Sequence, residues 1–148
     1  LHPPRKGVYG SDNANSIVLL IEHAGKKILM TGDLESPGLE DLLAEEPLDC
    51  DVVLAPHHGS PRSNPGKFSD WSQPEYVIIS GRRGLGDEAT SQSVKNSFRL
   101  RGAEVFHTAE DGCTRIEVTA LGLTVSTVRP HVRATPTNLS GANLLQSE

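Results

Sequence analysis

Short runs of β-branched and aliphatic residues, separated by polar and glycine-containing stretches, recur along most of the chain. Residues 16–22 and 27–31 share this character, with His23-Ala24-Gly25-Lys26 between them, so the pair predicts a β-hairpin. Ser36-Pro37 then predicts a helix start, Ser at the N-cap and Pro at the first helical position. Leu39, Leu42 and Leu43 fall on one face of that helix, and Pro47 ends it. Residues 51–55 read as a compact apolar strand, and 56–64 as a polar loop rich in His, Ser and Pro. A second apolar strand follows at 75–80, then a glycine-rich loop at 81–87. Residues 90–101 predict a helix with Val94 and Phe98 facing inward and Gly102 at its C-terminal cap. Residues 104–108 predict a strand leading into an Asp111-Gly112 turn, and 115–119 with 123–128 predict a closing hairpin across Leu121-Gly122.

Segments that are apolar throughout, such as 52–55 and 76–79, point to sheet buried on both faces. With two helical stretches and two hairpins, the pattern predicts an α/β layered sandwich built on a mixed sheet with flanking helices. From residue 129 the periodicity stops and Thr, Pro, Asn and Ser take over, so 1–128 reads as the folded part and 129–148 as a flexible tail or linker. The 148 residues suffice for one core.

Composition narrows the function classes. Six aromatic residues are too few for a base-stacking nucleic-acid platform. A net charge of −5, from 19 acidic and 14 basic side chains, gives no basic face for many phosphate contacts. The longest apolar run, 17–21, is far too short to cross a bilayer, so no membrane segment is expected in this chain. Cys50 and Cys113 are too few for a disulfide framework and read as two buried thiols.

Two strand ends carry the candidate chemistry. In Ile28-Leu29-Met30-Thr31-Gly32-Asp33 an apolar strand runs through a glycine into a carboxylate. In Val52-Val53-Leu54-Ala55-Pro56-His57-His58-Gly59-Ser60 a strand delivers two adjacent histidines, and Gly59 permits the turn that aims them. Ligands of open α/β sheets collect beyond the carboxyl ends of strands, and carboxylate with imidazole suits a zinc-class ion. Each motif also has a plain structural reading. An Asp after a glycine caps turns, and paired histidines occur in solvated loops.

These strings, together with Asn15-Ser16-Ile17-Val18-Leu19, Thr31-Gly32-Asp33-Leu34-Glu35, Ser63, and the later 74–80 and 102–112 stretches, resemble the metallo-β-lactamase-type domain of ComEC competence proteins. The resemblance covers about residues 13–128 and implies the C-terminal half of an αββα-type domain. ComEC proteins are polytopic channels of the bacterial cytoplasmic membrane that pass single-stranded DNA inward. Their metallo-β-lactamase-like domain is a soluble part held to act as a nuclease. Carried over by motif, Asp33 is the metal-bridging carboxylate and one of His57 and His58 the last metal ligand, with His57 favoured because it leaves the strand first. Ser60 and Ser63 either contact substrate phosphate or hold the loop. Arg82 and Arg83, in the glycine-rich loop, are candidates for a phosphate.

The family's H-x-H-x-D-H motif is absent from these 148 residues, and the His-Pro pair usual near the 81–89 loop is replaced by Glu88-Ala89. A catalytic zinc takes three protein ligands plus water. The expectation is therefore a half-domain whose other ligands, and one or two divalent ions, belong to the intact domain. On that expectation the fragment alone is metal-free and inactive. Its partners are the N-terminal half of the same domain and the membrane channel of the parent. The rival expectations are a non-catalytic scaffold on the same fold and a free-standing hydrolase of the superfamily.

Overall fold

The architecture is seen in a computed structural model, which describes residues 1–81 and 87–128, with backbone alone for 87–91. Strands Leu19–His23 (β1) and Lys26–Met30 (β2) pair antiparallel, Leu20 opposite Leu29 and Ile21 opposite Ile28. Their loop, Ala24-Gly25, has φ of 49° and 76°. Two positive φ values in a two-residue loop match the right-handed twist of the strands it joins. There follow Gly38–Leu43 (α1), Val52–Leu54 (β3), Gly66–Ser72 (α2), Tyr76–Ile79 (β4), Asp87–Arg99 (α3), Glu104–His107 (β5), Thr108–Asp111 (α4), Cys113–Thr119 (β6) and Gly122–Val128 (β7). The main sheet has the order β1-β2-β3-β4-β5, with β2 through β5 parallel. It is mixed, as expected, but only the first hairpin makes it so. β6 and β7 form a separate two-stranded sheet.

Register decides where the core sits. Leu29, Val53, Val77 and Val105 are matched partners across four strands and share one face. Leu39 and Leu42 of α1, Phe68 and Trp71 of α2, and Val94 and Phe98 of α3 close over that row. Phe68 stacks on Trp71 and meets Phe98 edge to face, both with ring centroids just over 6 Å apart. Trp71 is buried yet satisfied, because its indole N–H donates to the Glu45 carbonyl at 2.9 Å. The opposite face is covered unevenly. Val52 is fully buried there, while Leu19, Ile21 and Met30 are 50%, 43% and 36% exposed.

Several elements depart from expectation. The first helix begins at Gly38, one residue later than expected, with Pro37 and not Ser36 at its N-cap and no side-chain cap. The chain turns there through a cis Ser36–Pro37 peptide, and Gly38 packs so closely on the Ala14 carbonyl that a Cβ has no room. That helix ends at Leu43, before Pro47. Helix α2 was not anticipated, since its two large apolar residues are a weak pattern in seven residues. Such a short helix owes its stability to tertiary packing. The Asp111-Gly112 step is no hairpin turn, because β5 and β6 lie in different sheets and α4 intervenes. There the Asp111 carboxylate accepts the His107 backbone N–H at 2.8 Å, and Gly112 leaves the helix at φ 85°. Helix α3 ends two residues earlier than expected, with Gly102 following at φ 91° in the place a left-handed cap needs. Cys50 is buried, which pushes its thiol up to about 11, but Cys113 is exposed, so the expected pair of buried thiols is half right. The expected tail at 129–148 lies outside the described residues, as does the 82–86 part of the glycine-rich loop with Arg82 and Arg83.

Candidate active site

Parallel pairing brings the carboxyl ends of β2, β3, β4 and β5 to one edge of the sheet in that order. Asp33 lies three residues beyond β2, the histidine pair follows β3, Ser80 follows β4, and His107 closes β5. Two backbone-directed bonds bind the first two ends together. The Thr31 hydroxyl donates to the Leu54 carbonyl at 2.8 Å, and the His57 N–H donates to the Gly32 carbonyl at 3.0 Å.

The histidine turn is conformationally costly. His57 has φ 48° and ψ 54°, His58 has φ 54° and ψ 28°, and Gly59 follows at φ 76°. Two consecutive non-glycine residues in the left-handed region cost roughly 1–2 kcal/mol each. Gly59 is required twice over, by its φ and because a Cβ there would meet the Ile79 side chain at 2.8 Å. Downstream, the Ser60 N–H donates to the His57 carbonyl at 2.9 Å, and the Asn64 amide donates to the Ser60 and Pro56 carbonyls at 2.7 and 2.8 Å. These bonds hold the loop in its strained course.

The turn sends the two imidazoles to different carboxylates. His58 Nε2 lies 3.7 Å from Asp33 Oδ1, while its Nδ1 is 2.9 Å from the Ser80 carbonyl. Because a carbonyl only accepts, that bond puts a proton on Nδ1, and Nε2 is the nitrogen turned toward Asp33. His57 instead presents Nδ1 to Glu35 Oε2 at 3.5 Å, and Glu35 Oε1 accepts the Ser11 hydroxyl at 2.6 Å. The two rings stand 6.3 Å apart, nearly edge to face. The structure thus sets His58, not the favoured His57, beside Asp33. Of the serines, Ser60 is half-buried and Ser63 fully buried, its hydroxyl without a partner among the described atoms.

The fourth strand end carries a group that spacing alone did not single out. His107 is buried against Gly81, where a Cβ would meet its Nε2 at 2.8 Å, and its Nδ1 finds no hydrogen-bond partner among the described residues. Burial, and after it the Lys95 ammonium, holds the His107 imidazolium below the usual range. Lys95 is itself buried within α3 and pairs with Glu110 of α4. Glu35 and Ser11 were likewise missed. Glu35 stood inside the Thr31-to-Glu35 string, but nothing local marks a carboxylate as the partner of a histidine 22 residues away.

The site has the donor types of a zinc-class centre but not their number. Among the described residues, no three His, Cys, Asp or Glu side chains converge as a metal-holding group. Asp33 with His58 and Glu35 with His57 remain two separate pairs.

Relatives set this geometry in context. The chain is 32% identical to Competence protein ComA of Neisseria gonorrhoeae over 103 residues, 68% of this chain and 15% of that protein. It is 31% identical to ComE operon protein 3 of Bacillus subtilis over 103 residues, 69% of this chain and 13% of that protein. The chain belongs to the ComEC-type competence family. An uncharacterized protein of Escherichia coli, YcaI, aligns more widely, at 26% identity over 133 residues, 88% of this chain and 18% of that protein. No protein-family profile matches the chain. This ComEC-type segment therefore spans less than a fifth of the length of each of these relatives. Among its described residues no helix is long and apolar enough to cross a membrane.

Proposed function

We propose that the chain is the C-terminal half of a metallo-β-lactamase-like hydrolase domain in a DNA-uptake protein of the ComEC type, acting on a phosphodiester of single-stranded DNA. The observation that carries this reading is the pairing of Asp33 with His58 across adjacent parallel strand ends, where an α/β sheet places its ligands. His58 has the arrangement of a metal-ligating imidazole, its Nδ1–H donating to a backbone carbonyl and its Nε2 turned toward the carboxylate that would share the ion. One or two divalent ions, zinc first among them, would be held by Asp33 and His58 together with ligands outside the described residues. The residues described do not complete such a centre, so no catalytic step is drawn through it. The exposed side of β1 and β2 is the surface we assign to the other half of the domain, and the membrane channel of the parent is its further partner. A purely structural scaffold is the rival, and the strain at His57 and His58 speaks against it. A loop with no task gains nothing from two left-handed histidines.

The test uses the parent protein carrying this segment. Divalent-ion-dependent cleavage of single-stranded DNA is expected, with Asp33→Ala lowering it by about 100-fold or more. Cleavage that survives Asp33→Ala undiminished overturns the reading.

A further inference from the structure

Resting on the hydrolase reading, we propose that Glu35, steadied by Ser11, is a positioning residue that fixes the tautomer of His57 and leaves Nε2 as its basic edge. His57 Nδ1 is buried and has no hydrogen-bond partner among the described residues, though the ring as a whole is one-third exposed. The exposure therefore belongs to the rest of the ring, and among the described residues the carboxylate paired with the buried nitrogen is that of Glu35, its Oε2 at 3.5 Å. If Nδ1 carried no proton, its lone pair would face the carboxylate lone pairs across that gap. With the proton on Nδ1, the gap becomes an attraction that a shift of about half an ångström converts into a charge-assisted hydrogen bond.

Glu35 is not free to turn away. Its other oxygen accepts the Ser11 hydroxyl at 2.6 Å, and Ser11 is itself built into the turn before β1, its hydroxyl also accepting the Ala14 N–H at 3.2 Å. The histidine backbone is fixed from the opposite side by the bond from His57 N–H to the Gly32 carbonyl. Both halves of the pair are thus held by groups that take no part in it, which is how an orienting carboxylate acts on an imidazole. The site then contains two differently used histidines on one strained turn. His58 is tied through Nδ1 to the Ser80 backbone and faces Asp33, and His57 is tied through Nδ1 to a side chain and is left with a free basic edge. A free basic nitrogen beside a phosphodiester site is suited to taking or giving a proton.

The experiment reads tautomers directly. Nitrogen-15 spectra of the ring nitrogens, recorded on the 148-residue chain at a pH where both imidazoles are neutral, are expected to show the proton on Nδ1 in His57 and in His58. In Glu35→Gln, Ser11 still donates to the side-chain oxygen, so the amide NH2 faces His57. Its ring is then expected to move to the Nε2–H form while His58 stays as it was. Glu35→Ala, which only removes the acceptor, is expected to shift His57 in the same direction. A His57 tautomer insensitive to both variants overturns the proposal, whatever the parent protein does to DNA. In the parent, Glu35→Gln is expected to lower kcat for DNA cleavage by about 10- to 100-fold with KM little changed. Absence of cleavage by the wild-type parent overturns the hydrolase reading, and the tautomer result still decides the role of Glu35.

Discussion

At the scale of single residues, the histidine turn is where the chain departs furthest from what local preference would choose. Left-handed backbone is cheap at glycine or asparagine and costly at histidine, and here it occurs twice in succession. Such strain has a measurable consequence. In helices and strands alanine is more stable than glycine, but at position 57 the order should invert, because only glycine relieves the φ of 48°. His57→Gly is therefore expected to unfold at higher denaturant concentration than His57→Ala, by the equivalent of about 1 kcal/mol. Equal stabilities, or alanine above glycine, would show that the turn is relaxed and remove the argument that its histidines are kept for their chemistry. Cys50 is a contrasting residue. Its buried thiol, raised to about 11 by burial, is packing material of the apolar core.

At the scale of elements, α3, β5 and α4 enclose a charged group between them. Lys95 leaves the interior face of α3, Glu110 meets it from α4, and His107, ending β5, sits against Gly81. Burial and Lys95 depress the His107 imidazolium, so the unfolded chain binds the proton more readily than the folded one. That contribution is fully present above the ordinary histidine value of about 6.5 and is lost as pH falls from there through the lower folded value. Glu110, held low by its bond to Lys95, adds a loss of the same sign, beginning only below the ordinary carboxylate value of about 4.3. Urea midpoints should thus decline in two stages on acidification, and His107→Gln should remove the earlier one alone. An unchanged first stage in that variant would place the titrating group elsewhere. None of this cluster was legible in the sequence, because Lys95 adjoins the inward Val94 and charge usually marks the solvated face. What the pattern did carry was period and punctuation. The alternating and apolar strands, the Phe98 face and the Gly102 cap all rest on local rules, whereas α2, α4 and the Glu35–His57 pairing depend on what tertiary packing brings together. The motif order told that Asp33 and the histidines would share an edge of the sheet. Which histidine met which carboxylate was set by two backbone angles that no spacing encodes.

At the scale of the whole molecule, the two faces of the main sheet are finished to different degrees. Three helices seal the Leu29–Val53–Val77–Val105 face, while Leu19, Ile21 and Met30 leave the far side of β1 and β2 apolar and open. A contiguous apolar strip on an otherwise acidic chain is the mark of a surface with a counterpart. If that counterpart is the other half of the same domain, these side chains contribute nothing to the segment alone and much to the parent. Replacing Leu19 by Ser and Ile21 by Thr keeps residues compatible with a strand while removing apolar area. In the 148-residue chain the double variant should change unfolding free energy by no more than about 0.5 kcal/mol, as exposed positions do. In the parent domain, where each side chain would be covered, the loss should reach about 1.5–3 kcal/mol per position. Chemical unfolding of both lengths, followed by the single Trp71 in the short one and by limited proteolysis in the long one, compares the two directly. Equal small effects in both would mean that the strip stays open in the parent and that the proposed other half docks elsewhere. Equal large effects would mean that residues already within the segment cover it. Only the asymmetric result identifies this face as the seam between two halves. It would then also explain why the carboxylate and histidine pairs here stop short of a centre, since the sheet lying across that seam would bring the rest.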